Sequence, residues 1–292
     1  MRCLVCLLGL VACGGGVRAN IGLARGADQG AIEYLWAEPQ GKEAYPLVVY
    51  LDGSDCRSVT NVVAYAEPLL ELGMAIVLPE KRGVHVDDDG VRCSSEFLHT
   101  NDRAQRVASA VSVVEHLRVH LARWDGRVVV LGASEGGAIA AAVALALPKT
   151  VAVVSLAGGG MSQADELRLL DPRAALDAKF EEIRRDPTPD KTWLGPSNTY
   201  KRWASYLDYT PASDFARLDV PVFVAHGERD RSVPIASSIA LEARFKIDGK
   251  TNLVLRRYPS LDHHWRDELG RSHAREVVAD VTTWLAANVK GK

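Results

Sequence analysis

Ser134 lies in the run Gly132-Ala133-Ser134-Glu135-Gly136-Gly137, between a short apolar stretch and a longer one. Residues 128–131, Val-Val-Val-Leu, are strand formers with no polar face, as expected of a strand buried on both sides in a parallel sheet. Residues 138–147 are almost all Ala, Val, Ile and Leu and are stopped by Pro148, which reads as a buried helix. A serine between strand and helix, with glycines two residues before and two after, has the Gly-x-Ser-x-Gly spacing that holds a hydroxyl on a sharp turn for nucleophilic attack. Such a turn leaves no room for a Cβ next to the serine, so glycine is required on both sides. The alternative is a Gly-rich turn that only packs strand against helix.

A serine hydroxyl is a poor nucleophile until a base takes its proton. Downstream, the apolar run 220–225 leads into His-Gly-Glu-Arg-Asp-Arg-Ser-Val-Pro at 226–234, and residues 261–265 read Leu-Asp-His-His-Trp. Together with the serine turn, these segments resemble the α/β-hydrolase superfamily, over about residues 32–289. The resemblance implies Asp230 as the acid, with Glu228 and Asp219 as alternatives. It implies His263 as the base, with His264 as the alternative because the family's loop usually carries one histidine. The chain order Ser134, Asp230, His263 is the order of that family. In it the histidine moves the proton and the aspartate orients the histidine without being protonated. The oxyanion is held by main-chain N–H groups, here of Glu135 and of Ser54 or Asp55, with Ser54 preferred. Asp52 stands where the family often has histidine.

The branches resembled are the serine esterases, the dienelactone hydrolases and the prolyl-oligopeptidase-like enzymes. The chain lacks a His-Gly-Gly-Gly loop and is too short to carry a propeller domain. The implied activity is hydrolysis of a small-molecule ester, or of a peptide or thioester, through an acyl-enzyme and without a cofactor. Acyl transfer to another acceptor uses the same residues. A member of the fold that has kept binding but lost catalysis is a separate reading.

The elements that must position these residues form an α/β pattern with a mostly parallel sheet flanked by helices. Strands are expected at 32–37 (an edge), 47–51, 75–78, 128–131, 151–156, 220–225 and 252–258. Helices are expected at 59–72, 101–123 with Asn101 as cap, 138–147, 235–245 and 271–289. Residues 79–100 read as a long loop, and its His85, Asp87, Asp88 and Asp89 lack the second cluster that zinc or calcium spacing requires. No metal is therefore expected. Residues 161–215 change character, with charged helical segments, two prolines and the aromatics Trp193, Tyr200, Trp203, Tyr206 and Tyr209, and read as a helical cap inserted over the strand ends. Those aromatics fit either a pocket wall or the cap's own core.

At 292 residues, 47% hydrophobic and with a formal net charge of −2, the chain can bury one α/β core. It carries no basic runs of the kind that bind nucleic acid. Residues 1–19 read as a secretory leader: Arg2 precedes an apolar stretch too short to span a bilayer. Leu10-Val11-Ala12-Cys13 resembles the lipobox of bacterial lipoproteins, which implies lipidation of Cys13, attachment to a membrane and a cell-envelope or periplasmic location. Cleavage after Ala19, giving a soluble secreted protein, is the alternative. Either way residues 20–292 form the domain, and of five cysteines only Cys56 and Cys93 remain in it. In an oxidising compartment they are expected to form a disulfide.

Overall fold

The computed structural model describes residues 4–6, 10–12 and 18–289. Its strands are β1 (Leu4–Cys6), β2 (Leu10–Ala12), β3 (Arg18–Arg25), β4 (Ala31–Ala37), β5 (Tyr45–Leu51), β6 (Ala75–Pro79), β7 (Trp124–Ala133), β8 (Thr150–Leu156), β9 (Val222–Gly227) and β10 (Leu253–Tyr258). Its helices are α1 (Glu67–Glu71), α2 (Ser95–Thr100), α3 (Arg103–Leu117), α4 (Glu135–Ala146), α5 (Gln163–Leu170), α6 (Leu176–Arg185), α7 (Tyr200–Tyr206), α8 (Pro211–Phe215), α9 (Ile235–Ile247) and α10 (Ala274–Asn288). A 3-10 helix spans Val59–Tyr65.

The strands form one sheet in the order β1-β2-β3-β4-β6-β5-β7-β8-β9-β10. From β6 to β10 the pairing is parallel, and from β1 to the β4–β6 junction it is antiparallel. The central strands are apolar without alternation because helices cover both faces. On one face Val49, Val130 and Val153 pack with Val113 of α3, Ile139 of α4 and Leu241 of α9. On the other, Val48, Val129 and Val154 pack with Leu69 of α1 and Val277 and Val281 of α10. The segment between β8 and β9 forms the cap, with a small core of its own around Phe180, Ile183, Tyr200, Trp203 and Leu207.

Several local expectations change. The strand expected at 32–37 is not an edge, because β3 pairs along it from Asn20↔Trp36 to Arg25↔Ala31. The helix expected at 59–72 is a 3-10 turn followed by five residues of α-helix, with Pro68 at the start of the second piece. The stretch 79–100 contains α2, capped by Ser94. Asp102 rather than Asn101 caps α3, accepting from the Gln105 amide at 2.9 Å. That helix ends at Leu117 rather than Arg123, since Trp124 already pairs with Tyr45 at the start of β7.

Strands β1 and β2 come from the stretch read as a leader, and Ala19 is the second residue of β3. Cys13 lies outside the described residues. No helix among the described residues is long and apolar enough to cross a membrane.

Cys56 and Cys93 are bonded, with Cα atoms 5.4 Å apart, and the bridge ties the loop after β5 to the segment preceding α2. It closes a 37-residue separation, for which chain entropy alone suggests a stabilisation of about 3–4 kcal/mol. Reduction, or Cys93→Ser, is expected to lower the unfolding free energy by that amount in denaturant titrations. An unchanged midpoint in the reduced protein would show that the bridge carries no stability.

Candidate active site

Ser134 joins β7 to α4 with φ 54° and ψ −122°, a backbone conformation that a residue bearing a Cβ rarely adopts and that costs on the order of 1–3 kcal/mol. The glycines make this turn possible. A Cβ on Gly136 would lie 2.0 Å from the Leu51 carbonyl oxygen, and one on Gly132 would lie 2.2 Å from the Gly136 carbonyl oxygen. Both flanking elements are anchored in the core, so the serine is held on top of the sheet.

The loop after β9 brings Asp230 beneath His263. His263 Nδ1 is 2.7 Å from Asp230 Oδ2, and its Nε2 is 3.0 Å from Ser134 Oγ. An ionised carboxylate only accepts, so Nδ1 carries the proton and Nε2 is left as the acceptor for the serine hydroxyl. The other carboxylate oxygen of Asp230 accepts from the Ser232 and Val233 amides at 2.7 and 2.9 Å. Burial works to raise the Asp230 pKa, but hydrogen bonds from His226 and His263 outweigh it and hold the group well below the usual carboxylate range.

His226 carries no role in the sequence reading, yet it is fully buried against Asp230, with Nε2 at 3.3 Å from Oδ2. The same nitrogen is 3.0 Å from the Val233 carbonyl, which requires it to be the N–H, so Nδ1 accepts from the Ser238 hydroxyl at 2.6 Å. The only sequence signal was its place in the His-Gly-x-x-Asp run. The alternative residues lie elsewhere: Glu228 pairs with Arg257 at 2.6 Å, and Asp219 is 95% exposed and pairs with Lys250. His264 is exposed, its ring edge-on to that of His263.

Of the proposed oxyanion donors, Glu135 is the first residue of α4, where the amide has no acceptor within the helix. Gly53 lies against Ser134: a Cβ there would be 3.6 Å from the serine Cβ. Ser54 borders Ser134 on both of the cavities that flank it, whereas Asp55 borders only one. Arg106 grips this loop from behind, donating to the Asp52 carbonyl at 2.7 Å and the Gly53 carbonyl at 3.2 Å. In a trans peptide the C=O and the following N–H point in opposite directions, so this grip aims the Ser54 N–H away from Arg106. Asp52 itself is fixed by the buried Lys81 ammonium at 2.8 Å.

The Glu135 side chain was also missed. It is buried between two guanidiniums, with Arg106 Nη1 at 2.6 Å from Oε1 and Arg202 Nη2 at 2.6 Å from Oε2. Burial acts to raise its pKa, and the Arg202 and Arg106 charges outweigh that and keep it low. Arg202 belongs to α7, so this cluster joins the serine turn, the loop after β5, α3 and the cap. Glu166 of α5, another residue without a sequence signal, accepts from the Ser237 hydroxyl at 2.6 Å, and that hydroxyl in turn accepts from the Gly160 and Met161 amides. Burial pushes the Glu166 carboxyl up to about 8, so it is neutral at physiological pH. The single proton of Ser237 is committed to Glu166 Oε1, which places the acid's own proton on Oε2.

The cap aromatics divide. Trp193, Tyr200 and Trp203 pack into the cap core, Tyr206 and Tyr209 pack against the main core, and Trp203, Tyr206 and Tyr209 wall the cavity above Ser134. His85 hydrogen-bonds Glu33 at 2.8 Å, and its amide donates to Asp88. Among the described residues no group of three or more His, Cys, Asp and Glu side chains is arranged to hold a metal.

Residues 64–292 match the prolyl oligopeptidase family. The chain belongs to that family. No curated protein matches the chain. Solved structures with the same fold include Est1E from Butyrivibrio proteoclasticus, at 16% identity and TM-score 0.64, covering 92% of this chain and 98% of that one. Acylaminoacyl peptidase from Pyrococcus horikoshii aligns at 16% identity and TM-score 0.66 over 92% of this chain and 41% of its own. 2,6-Dihydroxy-pseudo-oxynicotine hydrolase aligns at 18% identity and TM-score 0.65, over 92% and 68%. The fold is therefore that of the α/β-hydrolases, and this prolyl oligopeptidase family member is a serine hydrolase in class.

The buried charges can be tested in two ways. Arg106→Met leaves Glu135 Oε1 and the Asp52 and Gly53 carbonyls without the donors that hold them, with Arg202 alone still on Glu135; breaking such a pair costs about 3–5 kcal/mol, and kcat should fall because the loop after β5 is released. A variant of wild-type stability and kcat would remove Arg106 from this role. Glu166 titrates near 4.5 when unfolded and near 8 in the fold, so the stability it contributes is complete below the lower value and is lost as pH rises through the upper one. Glu166→Gln should flatten the decline of Tm between about pH 5 and about pH 9; a slope equal to that of wild type would show the carboxyl to be ionised throughout.

Proposed function

We propose that the protein is a carboxylic ester hydrolase that works through Ser134, His263 and Asp230. The observation carrying this reading is the unbroken relay of contacts, Asp230 to His263 at 2.7 Å and His263 to Ser134 at 3.0 Å, on a serine held at the top of the sheet. As Ser134 Oγ attacks the carbonyl carbon, its proton passes to His263 Nε2. The negative charge that develops on the carbonyl oxygen is met by the Glu135 and Ser54 amides, a contribution of about 3 kcal/mol per donor in enzymes where it has been measured. Asp230 stabilises the imidazolium, and its low pKa keeps it from taking the proton itself. His263 then protonates the leaving oxygen, the alcohol departs, and water repeats the sequence to free the acid and Ser134.

An ester is favoured over a peptide because a solved structure named as an esterase, from Pyrococcus furiosus, aligns over 91% of its own length, while the acylaminoacyl peptidase extends well beyond this chain. The leader-like residues 1–19 favour action outside the cytoplasm, with Cys13 as the attachment point if the lipobox is used.

Turnover of short p-nitrophenyl esters and labelling by a fluorophosphonate are both expected in the wild type and both lost in Ser134→Ala, a fall of at least about 10³ in kcat. Labelling without ester turnover would shift the reading to acyl transfer. Failure of the wild type to label would leave a binding protein.

A further inference from the structure

Two cavities of unequal size and character meet at Ser134. One, of about 160 Å³, lies under the cap and is walled by Glu135, Gln163, Glu166, Arg202 and Tyr206 among others. The second, of about 690 Å³, opens on the opposite side between α1 and α10. Its depth is lined by Leu69 of α1, Leu78 of β6, Leu131 of β7, and Val277 and Val281 of α10, so it reaches the apolar layer below the sheet. Ser134 and Ser54 border both cavities, but His263 borders only the larger.

The position of His263 assigns the two halves of a substrate. In the proposed reaction, Ser134 Oγ bonds to the carbonyl carbon and the Oγ proton goes to His263. On collapse, the carbon–oxygen bond to the alcohol breaks and the same proton goes from His263 Nε2 to the alcohol oxygen. The leaving oxygen must therefore lie within hydrogen-bond reach of Nε2, on the side of the cavity that His263 lines. The carbonyl oxygen faces the Ser54 and Glu135 amides, and the acyl substituent is left with the space under the cap. We propose that the cleft between α1 and α10 is a leaving-group site for an alcohol with a long apolar body, and that the cap cavity accepts only a short acyl group. This rests on the reading of Ser134 and His263 as nucleophile and base.

Size supports the partition. A cavity of about 150 Å³ holds one benzene-sized group, which limits the acyl part to about six heavy atoms. Its wall is mixed, with Gln163, Glu166 and Arg202 beside Met161, Leu167 and Val233, so a long chain is excluded by size rather than by polarity. The larger cleft falls in the range that holds a drug-sized ligand, and its floor is aliphatic. Each methylene seated there is removed from water.

The test uses two ester series on the full chain. For butyl, hexyl and octyl acetate, whose alcohols have nearly equal acidity, kcat/KM is expected to rise by about tenfold or more from butyl to octyl. For p-nitrophenyl acetate, butyrate and octanoate it is expected to fall by a similar factor. Val278→Trp, which fills the cleft from α10, should flatten the alcohol series relative to the acyl series; Asn61→Trp, at the exposed rim, is a second variant should the first fail to fold. A preference for long acyl chains with no dependence on the alcohol would overturn the assignment. So would an alcohol series that keeps its slope in both variants. Fluorophosphonate labelling separates this from the underlying reading: labelled enzyme without the alcohol preference sinks the leaving-group site alone, whereas no labelling removes the hydrolase reading and the proposal with it.

Discussion

The burial of one carboxylate, Glu135, between two arginines is the constraint to which the rest of the site is tied. The residue after a nucleophilic serine on this turn must begin a helix and offer its amide outward, so its side chain points into the protein. Here it enters a place with almost no solvent, where an unpaired charge would cost several kcal/mol. Arg106 and Arg202 offset that cost, and each arginine then has donors to spare. Arg106 uses its remaining donors on the carbonyls of Asp52 and Gly53, which sets the loop that faces Ser134. Arg202 uses one on Gln163 and stacks on Trp203 and Tyr206, which sets the cap. A single buried charge thus fixes the serine turn, the loop after β5 and the cap relative to one another.

Strain collects around the same point. Ser134, Ala157 and Trp265 all have positive φ, and all three border the larger cleft. Each lies just past a buried strand or in a loop pinned by hydrogen bonds: Ser134 N donates to Leu156 O, Ala157 N to Ala225 O, and Trp265 N to Asp262 O. Conformations of this kind persist where the surroundings over-determine them. The central parallel strands, with helices on both faces, provide that rigidity for Ser134 and Ala157 at their carboxyl ends, and Trp265 sits in the loop beyond β10.

The parts of this arrangement that a sequence can display are those governed by local rules. Residues 128–137 could be read because a two-sided apolar strand, a glycine-flanked serine and an aliphatic helix each follow from neighbouring residue types. Asp230 and His263 could be named because their loops have a characteristic order. The arginines could not: Arg106 is a polar residue on an amphipathic helix and Arg202 one of many charges in the cap, and only the tertiary fold brings them to Glu135. Glu166 was hidden for the same reason, since its partner Ser237 lies 71 residues away, and His226, though four residues from Asp230, donates to it only because Ser238, 12 residues on, fixes its tautomer. Strand β3 was hidden because residues 18–25 hold Ile21 as their single β-branched residue, and their pairing with β4 is a long-range property. The 3-10 turn at Val59–Tyr65 shows the converse error, where a stretch rich in Val and Thr is read as part of one helix although such residues favour it weakly and Pro68 must start a new one.

The site also shows that burial alone does not decide charge. Asp52, Glu80, Glu135, Glu166 and Asp230 are all carboxyl groups removed from water, yet Glu80 and Glu166 are pushed up to about 8 while the other three are held low. In every case desolvation raises the pKa, so the difference comes from what faces the carboxylate. Lys81 lies next to Glu80 in sequence, but its ammonium reaches Asp52 at 2.8 Å, and Glu80 is left with donors from Ser58 and the Val59 amide. Glu135 has two guanidiniums and Asp230 has two histidines, whereas Glu166 has a serine. Cations keep Asp52 and Glu135 ionised, and for Asp230 four hydrogen-bond donors, from His226, His263 and the Ser232 and Val233 amides, do the same, whereas the one or two donors on Glu166 and Glu80 do not offset burial. The result is a sorted set. The acid beneath His263 remains charged and can stabilise an imidazolium, and the acid facing the cap cavity stays neutral and can donate a hydrogen bond there.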